Sequence, residues 1–283
     1  HALDQLLGFV GSSSTSILAT IGSPSLNVLS LLLNCMKSTD SMCLKAVEIL
    51  ELLLTRASQR NSKHFVLIPG SVGCLVNAIG TTTESISMDN VGIQIRLKIC
   101  SIFRVLFAQC PKSAKDLFLS SHGLDSLRSL MQILCKNDNE HPLCDQLLIS
   151  TCGVLFDITS GSGLSQDILR DNGTLTVLCK SLVERLSDYD FASMANDSSL
   201  RSSIGEAMSL AMSALVFRNT ASQAACVERV GFVTSISKAL CEAYRWCSPG
   251  YPSFLLLCVA LEYQSKQVFQ NSDIFKDQTS NML

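Results

Sequence analysis

The amino-acid sequence predicts an all-α fold built from repeated units of three helices. Apolar residues recur at spacings of three and four, the period of a helix, over five long stretches, and no stretch alternates polar and apolar residues as a strand does. Five shorter apolar stretches begin near residues 24, 70, 122, 173 and 231, which lie 46, 52, 51 and 58 residues apart. Such near-constant spacing indicates a repeat architecture.

The first helix of each repeat is short and ends at a tight turn. Gly70, Gly173 and Gly231 each follow a short amphipathic stretch, and Gly most easily takes the positive φ that ends a helix. His122 stands at the same point of its repeat, which indicates a structural role for this histidine. The apolar stretch after each turn is the predicted medium helix, and the first of these stretches is "PSLNVLSLLL" from Pro24.

The third helix of each repeat is the longest. The predicted third helices span 43–57, 93–109, 144–159, 204–220 and 254–265. The first residues are typical of the end of a long helix, a loop and a short helix. Three such helices cannot bury their own apolar faces, so each repeat must stack on its neighbours. We therefore expect one solenoid domain over residues 1–270, with Cys152 and Leu155 buried, and a frayed tail over 271–283.

The repeat pattern resembles the armadillo repeat. The best copies are "SQDILRDNGTLTVLCKSL" (165–182) and "TCGVLFDITSGSGLSQDILRDNG" (151–173), and the resemblance extends from Ala2 to about Gln270. It implies a right-handed superhelical α-solenoid of about five to six three-helix repeats. HEAT repeats are the nearest alternative, and the position of the Gly favours the armadillo repeat.

The resemblance also implies a function, because the third helices of armadillo proteins line a concave groove that holds peptides or helices of other proteins. Nuclear-import members carry a ladder of Trp and Asn in this groove. Here the Asn positions fall on Leu52, Val105, Asp157, Phe217 (or Arg218) and Tyr263, and the Trp positions fall on Glu48, Ser101, Gly153, Ser213 and Val259. Recognition of basic import signals is therefore not expected.

Residues along the predicted third helices, all but one of them polar, are the candidates for partner binding. They are Glu48, Glu51, Lys98, Ser101, Arg104, Ser150, Asp157, Ser213, Phe217 and Arg218. Arg96 flanks Lys98 and Arg104, and the neighbouring helices are acidic. Lys98 and Arg104 therefore either bind a carboxylate of the partner, with an apolar residue near Val105 or Phe217, or only neutralise the acidic side chains across the groove. A solvated face without a partner is the alternative for the whole set.

Two insertions rich in Ser, Thr and Asp, 81–90 and 187–202, lengthen the spacing of the repeats. They are either tolerated surface loops or functional segments, which would contact a partner or act as a phosphorylation switch. The leading hypothesis is a non-enzymatic scaffold or adaptor that holds a peptide or helix in its groove. The alternative is a regulator that clasps a folded partner, such as a small GTPase, a chaperone or a ubiquitin-ligase component, through an edge or the 187–202 loop.

The composition and the motifs disfavour other functions. The net charge is −2 and only 16% of the 283 residues are charged, so bulk charge does not favour nucleic acid as a partner. None of the four histidines lies in an H-E-x-x-H motif, and the sequence has neither a phosphate-binding loop nor a G-x-S-x-G motif. We therefore predict no catalytic residue, cofactor or metal ligand.

The 13 cysteines are scattered and odd in number, without C-x-x-C spacing. This pattern is typical of small buried residues in a reducing compartment, and Cys110, beside Lys112, is the one candidate for a reactive thiol. The longest clean apolar run, Phe254–Leu261, is far shorter than the ~20 residues that span a bilayer. We expect an intracellular protein, cytoplasmic or nuclear, that does not contact the membrane and is part of a larger protein or complex.

Overall fold

A computed structural model of the chain describes residues 2–37, 40–57, 59–80, 89–136, 142–187, 200–245 and 251–261. Over these residues the fold is all-α, as the sequence predicts, with sixteen α-helices and no strand. Most of the two predicted insertions and the whole predicted tail lie outside the described residues, as does the single Trp, Trp246.

The helices follow the chain as α1 (Ala2–Ser12), α2 (Thr15–Ile21), α3 (Val28–Cys35), α4 (Asp40–Thr55), α5 (Gln59–Leu67), α6 (Ser71–Ile79), α7 (Asn90–Gln109), α8 (Pro111–Ser120), α9 (Gly123–Lys136), α10 (Pro142–Thr159), α11 (Gly163–Asp171), α12 (Thr174–Ser187), α13 (Leu200–Val216), α14 (Thr220–Val227), α15 (Phe232–Arg245) and α16 (Tyr251–Ala260). A short 3₁₀ turn, Pro24–Leu26, precedes α3.

From α2 onwards the helices form triplets whose third member is the longest in each of the first four. The triplet α5–α7 has lengths of 9, 9 and 20 residues, and the triplet α8–α10 has lengths of 10, 14 and 18. The predicted third helices are found with their ends shifted by a few residues. The prediction for 204–220 is wrong at its end, because α13 stops at Val216 and Asn219 already caps the next helix.

The turn before each medium helix has the predicted left-handed backbone. The φ angles are +75° at Gly70, +85° at Gly173, +80° at Gly231 and +60° at His122. In the triplet α8–α10 the glycine is residue 123, one position after the left-handed His122. A Cβ at Gly123 would lie 2.4 Å from the ring of Phe118, so only glycine fits there. In the first triplet the left-handed residue is Asn27, with φ +52°, so the medium helix starts after Asn27 and not at the predicted position 24.

The helices group into two compact units. The first contains residues 1–134 and 139–158, and the second contains residues 135–138 and 159–283. In the first unit α4 packs against α1, α3 and α7, and α7 packs against α8. The rings of Phe103 and Phe107 meet that of Phe118 edge-on, with centroid distances of 4.9 and 5.5 Å. Cys152 and Leu155 are buried, as predicted.

In the second unit α12 packs against α13 and α15, and α13 packs against α16. The core of this unit is aliphatic and aromatic, and its largest buried side chains include Phe232 and Phe254. Asn219 caps α14, because its Oδ1 accepts a hydrogen bond from the backbone N–H of Ser222 at 2.9 Å. This cap fixes the sharp turn between α13 and α14.

Candidate partner-binding surfaces

Ion pairs link the long helices of the first unit in chain order. One pair joins α1 to α4, a second joins α4 to α7, and a third joins α7 to α10. We call these six residues the ion-pair row: Asp4–Lys45 (2.6 Å), Glu51–Lys98 (2.8 Å) and Arg104–Asp157 (3.2 Å). The structure thus pairs Glu51 with Lys98 and Arg104 with Asp157, four of the residues proposed from the sequence, and adds Asp4 and Lys45.

Arg104 is the most exposed member of the row, with 57% of its side chain open to solvent. Its Nε donates to Oδ2 of Asp157 on α10. Gly153 leaves room for this crossing, because a Cβ at residue 153 would lie 3.1 Å from Nε of Arg104 and would displace the side chain by a few tenths of an ångström. The absence of a side chain at Gly153 therefore lets the guanidinium lie over α10 while its remaining N–H groups stay accessible.

Lys98 and Glu51 form a more enclosed pair. Nζ of Lys98 lies 2.8 Å from Oε2 of Glu51, with 39% and 17% of the two side chains exposed. This contact agrees with the alternative in which Lys98 and Arg104 neutralise the acidic side chains of neighbouring helices. Three further candidates are half-buried, namely Glu48 on α4, Ser101 on α7 and Ser150 on α10. Arg96 does not flank the pair at the surface as expected, because it is only 1% exposed.

The local electrostatics follow from these contacts. The hydrogen bond from Lys45 holds the pKa of Asp4 below its ordinary value. On α8, partial burial lowers the pKa of Lys115, and the carboxylate of Asp157 opposes that shift. Asp157 therefore interacts with two cationic side chains, Arg104 and Lys115, so these three groups together carry one net positive charge.

The three candidates in the second unit do not share one exposed helix face. Ser213 was expected to face a partner, but it is buried. Its hydroxyl donates to the carbonyl of Leu210 at 2.7 Å, so it is not available for partner binding. Ser209, one helical turn earlier on α13, is also buried. Phe217 and Arg218 lie in the turn after α13 and not on the helix, and both are exposed.

Buried amide side chains form contacts that the sequence analysis missed. Asn61 donates to the carbonyls of Leu18 and Leu53 at 3.1 and 3.0 Å. Gln223, on α14, donates at 2.8 Å to the carbonyl of Ala260 at the end of α16. The signal in the sequence is an amide residue at an otherwise apolar position of a short helix, and such residues fix backbone carbonyls that would otherwise lack partners.

The cysteines are free throughout the described residues. Burial raises the pKa of Cys100 to about 12, and Cys179 and Cys226 place their Sγ atoms 3.6 Å apart inside the second unit. Cys110, the candidate for a reactive thiol, is buried and not exposed as that role requires, and burial raises the pKa of its thiol. A thiol with a raised pKa is a poor nucleophile near neutral pH.

Within the described residues no three His, Cys, Asp or Glu side chains are grouped so that they could hold a metal ion. In the same part of the chain no single helix has the length and hydropathy to cross a membrane, although α5 and α6, bent by 90°, pass that test as a pair. An open pocket of about 310 Å³ lies in the second unit, lined by Cys179, Lys180, Val183, Glu184, Arg229, Val230 and Phe232.

Comparison with known proteins defines the fold and no more. No family model matches the chain, and no curated protein matches it. The chain is similar to the crystal structure of an engineered protein from a structural genomics consortium, with a TM-score of 0.54 and 17% identity over 91% of this chain and 98% of that chain. A second engineered protein has a TM-score of 0.48 and 16% identity over 92% of this chain and 68% of that chain.

Proposed function

We propose that the chain is a right-handed armadillo-type solenoid that serves as a non-enzymatic protein-binding scaffold. The partner is a peptide or helical segment that lies across the long helices of the first unit. The ion-pair row carries this proposal: it crosses four successive long helices with three pairs of opposite charge, and 57% of the Arg104 side chain is exposed.

The triplets support the solenoid part of the proposal. A short, a medium and a long helix recur in order, and the turn before the medium helix has a positive φ in all five triplets. In the first unit, each of the long helices α1, α4 and α7 touches the next through an ion pair or direct packing. This order is the one expected when identical structural units stack along an axis.

The exposed charges support the binding part. Solvent-exposed ion pairs contribute only about 0–1 kcal/mol to stability. A row of them is therefore weakly required for folding, whereas alternating charges on a surface select partners and their register. We expect an acidic residue of the partner opposite Arg104 and Lys98, and a basic residue opposite Glu48.

A charge swap tests the proposal without removing the ion pair. The double substitution R104D/D157R keeps the net charge and the contact between α7 and α10, so the melting temperature should stay within a few degrees of wild type. Among short peptides selected by display on the wild-type chain, one class should bind the swapped chain about tenfold more weakly, because the charge offered to the partner is reversed.

The matched control is the swap K180E/E184K on α12, which exchanges an exposed i,i+4 pair of the second unit. It should leave peptide affinity unchanged. If every selected peptide bound the wild-type and the R104D/D157R chains with equal affinity, all of them would bind elsewhere and the proposal would be contradicted, as it would be by turnover of a small substrate by the purified chain.

A further inference from the structure

The turn between α13 and α14 holds an arginine in a backbone conformation that favours glycine. Arg218 has a φ of +56°. The corresponding turn between α10 and α11 has Gly161 at this point, with a φ of +75°. The left-handed conformation costs a residue with a Cβ roughly 1–2 kcal/mol, and only Gly, Asn and Asp adopt it routinely. Arg218 is thus a strained residue, and strain of this kind is found at functional sites.

The surrounding contacts keep the turn in place. Nε2 of Gln166 on α11 donates to the carbonyls of Ala214 and Phe217, at 2.7 and 3.1 Å. Nδ2 of Asn219 donates to Oδ1 of Asp167 at 3.0 Å, while its Oδ1 caps α14. Bonds on both sides of Arg218 therefore fix its backbone, so the direction of its side chain is set before any partner arrives.

The side chains of the turn point a cation and an aromatic ring into solvent. The guanidinium carbon of Arg218 lies 5.1 Å from the centroid of the Phe217 ring, and Phe217 is 50% exposed. Leu164, in the first turn of the same α11 that holds the loop, is also exposed. No carboxylate of the described residues lies within ion-pair distance of Arg218, whereas Arg170 on α11 pairs with both Asp167 and Asp171.

We infer that Phe217 and Arg218 form a second binding surface, separate from the ion-pair row, for a peptide segment that carries a carboxylate next to a large apolar side chain. The guanidinium has donors free for a bidentate contact with the carboxylate. The ring holds the guanidinium in place by a cation–π contact and offers its own exposed area to the apolar side chain. The inference does not depend on the function proposed for the first unit.

The substitution R218G separates binding from stability. Glycine adopts a φ of +56° without strain, so the variant should keep its helicity and its melting temperature to within a few degrees. Random short peptides are selected by display on the wild-type chain, sequenced, and synthesised. Peptides that pair Asp or Glu with a large apolar residue should be enriched, and their affinity should fall about tenfold in R218G, because a charge-assisted contact is lost.

Three further variants complete the test. F217S should weaken the same peptides. K180A should leave their affinity unchanged, although it removes another exposed positive charge of the second unit, and so should R104D/D157R. R218N provides a second neutral variant, because Asn tolerates the left-handed backbone. The inference is overturned if selection enriches no peptide, if the enriched peptides lack acidic residues, or if they bind R218G and R218N as tightly as wild type. Peptides sensitive only to R104D/D157R would leave the first-unit proposal intact and overturn this one.

Discussion

Single residues at helix junctions decide where the chain can turn. Gly173 lies between α11 and α12 with a φ of +85°, and nothing lies within 4 Å of a Cβ added there. The substitution G173A should therefore destabilise the fold through backbone strain alone, by about 1–2 kcal/mol.

The control for that prediction lies ten residues earlier. Gly163 begins α11, and a Cβ there would also meet open space, but its φ is not in the left-handed region. G163A should change the free energy of unfolding by no more than about 0.5 kcal/mol. Urea denaturation of the two variants measures both values, and equal effects would show that the left-handed turn at Gly173 is not the cause.

A second prediction at this scale concerns Asp167. The hydrogen bond from Asn219, and then the contact with Arg170, hold the pKa of this exposed carboxyl below its ordinary value of 3.8. Because the folded pKa is depressed, the stabilising contribution is present above the unfolded pKa and is lost as pH falls through the folded value.

The variant N219S isolates this effect, because Ser keeps the cap of α14 but cannot donate to Asp167 as the amide does. The pKa of Asp167 should rise toward 3.8, and the acid-induced loss of stability should shrink. Carboxyl chemical shifts followed by NMR during a pH titration give the pKa directly. An unchanged value would mean that Arg170 alone sets the pKa of Asp167.

At the scale of helices, two buried amides connect the first helix of a triplet to the end of its third helix. Gln166 of α11 reaches carbonyls at the end of α13, and Gln223 of α14 reaches the last residue of α16. We predict that Q166L destabilises the second unit by about 1–3 kcal/mol, because the buried carbonyl of Ala214 and the part-buried carbonyl of Phe217 lose their donor.

An exposed glutamine on a long helix provides the comparison for this prediction. Gln146 lies exposed on α10, and Q146L should alter the free energy of unfolding by no more than about 0.5 kcal/mol. Both values come from urea denaturation, and the slope against denaturant should be unchanged. A neutral Q166L would show that the carbonyls at the end of α13 find other donors.

The helices themselves could be predicted from the sequence because their signals are local. Apolar spacing and the Gly at 70, 173 and 231 depend only on nearby residues, and the structure confirms them. The end of α13 was missed because "LVFRNT" continues the apolar period, while the competing cap of Asn219 is decided by its contact with Ser222. In the third triplet His122 has the left-handed backbone, and the glycine stands at 123, where the ring of Phe118 leaves no room for a side chain.

The candidate surfaces could be predicted only in part, because pairing between helices depends on register and rotamer. The residue types of Lys98 and Arg104 marked a charged face, but no local pattern shows that they contact Glu51 and Asp157. Burial of Ser213 has the same origin, since a small polar residue on a long helix suits a surface or a close helix contact equally well.

Across the whole molecule, the cysteines act as small apolar residues. Seven of the twelve described cysteines are buried, and all twelve are free. Burial raises the pKa of Cys100 and of Cys258 to about 12, so these thiols stay protonated near neutral pH. Thiol–disulfide exchange requires the thiolate and access to it, and both are scarce here.

We therefore predict that dithiothreitol does not lower the melting temperature of the purified chain. A disulfide that stabilised the fold would contribute about 2–4 kcal/mol, and its reduction would lower the melting temperature by several degrees. The most sensitive place is the pair Cys179 and Cys226, where the two Sγ atoms lie 3.6 Å apart and the hydrogen bond between the thiols, together with burial, raises the pKa of Cys226. Peptide mapping of the non-reduced chain would identify a linkage between them, and the variant C226A would serve as its control. A drop in melting temperature with dithiothreitol in wild type but not in C226A would show that this pair is oxidised and would contradict the prediction.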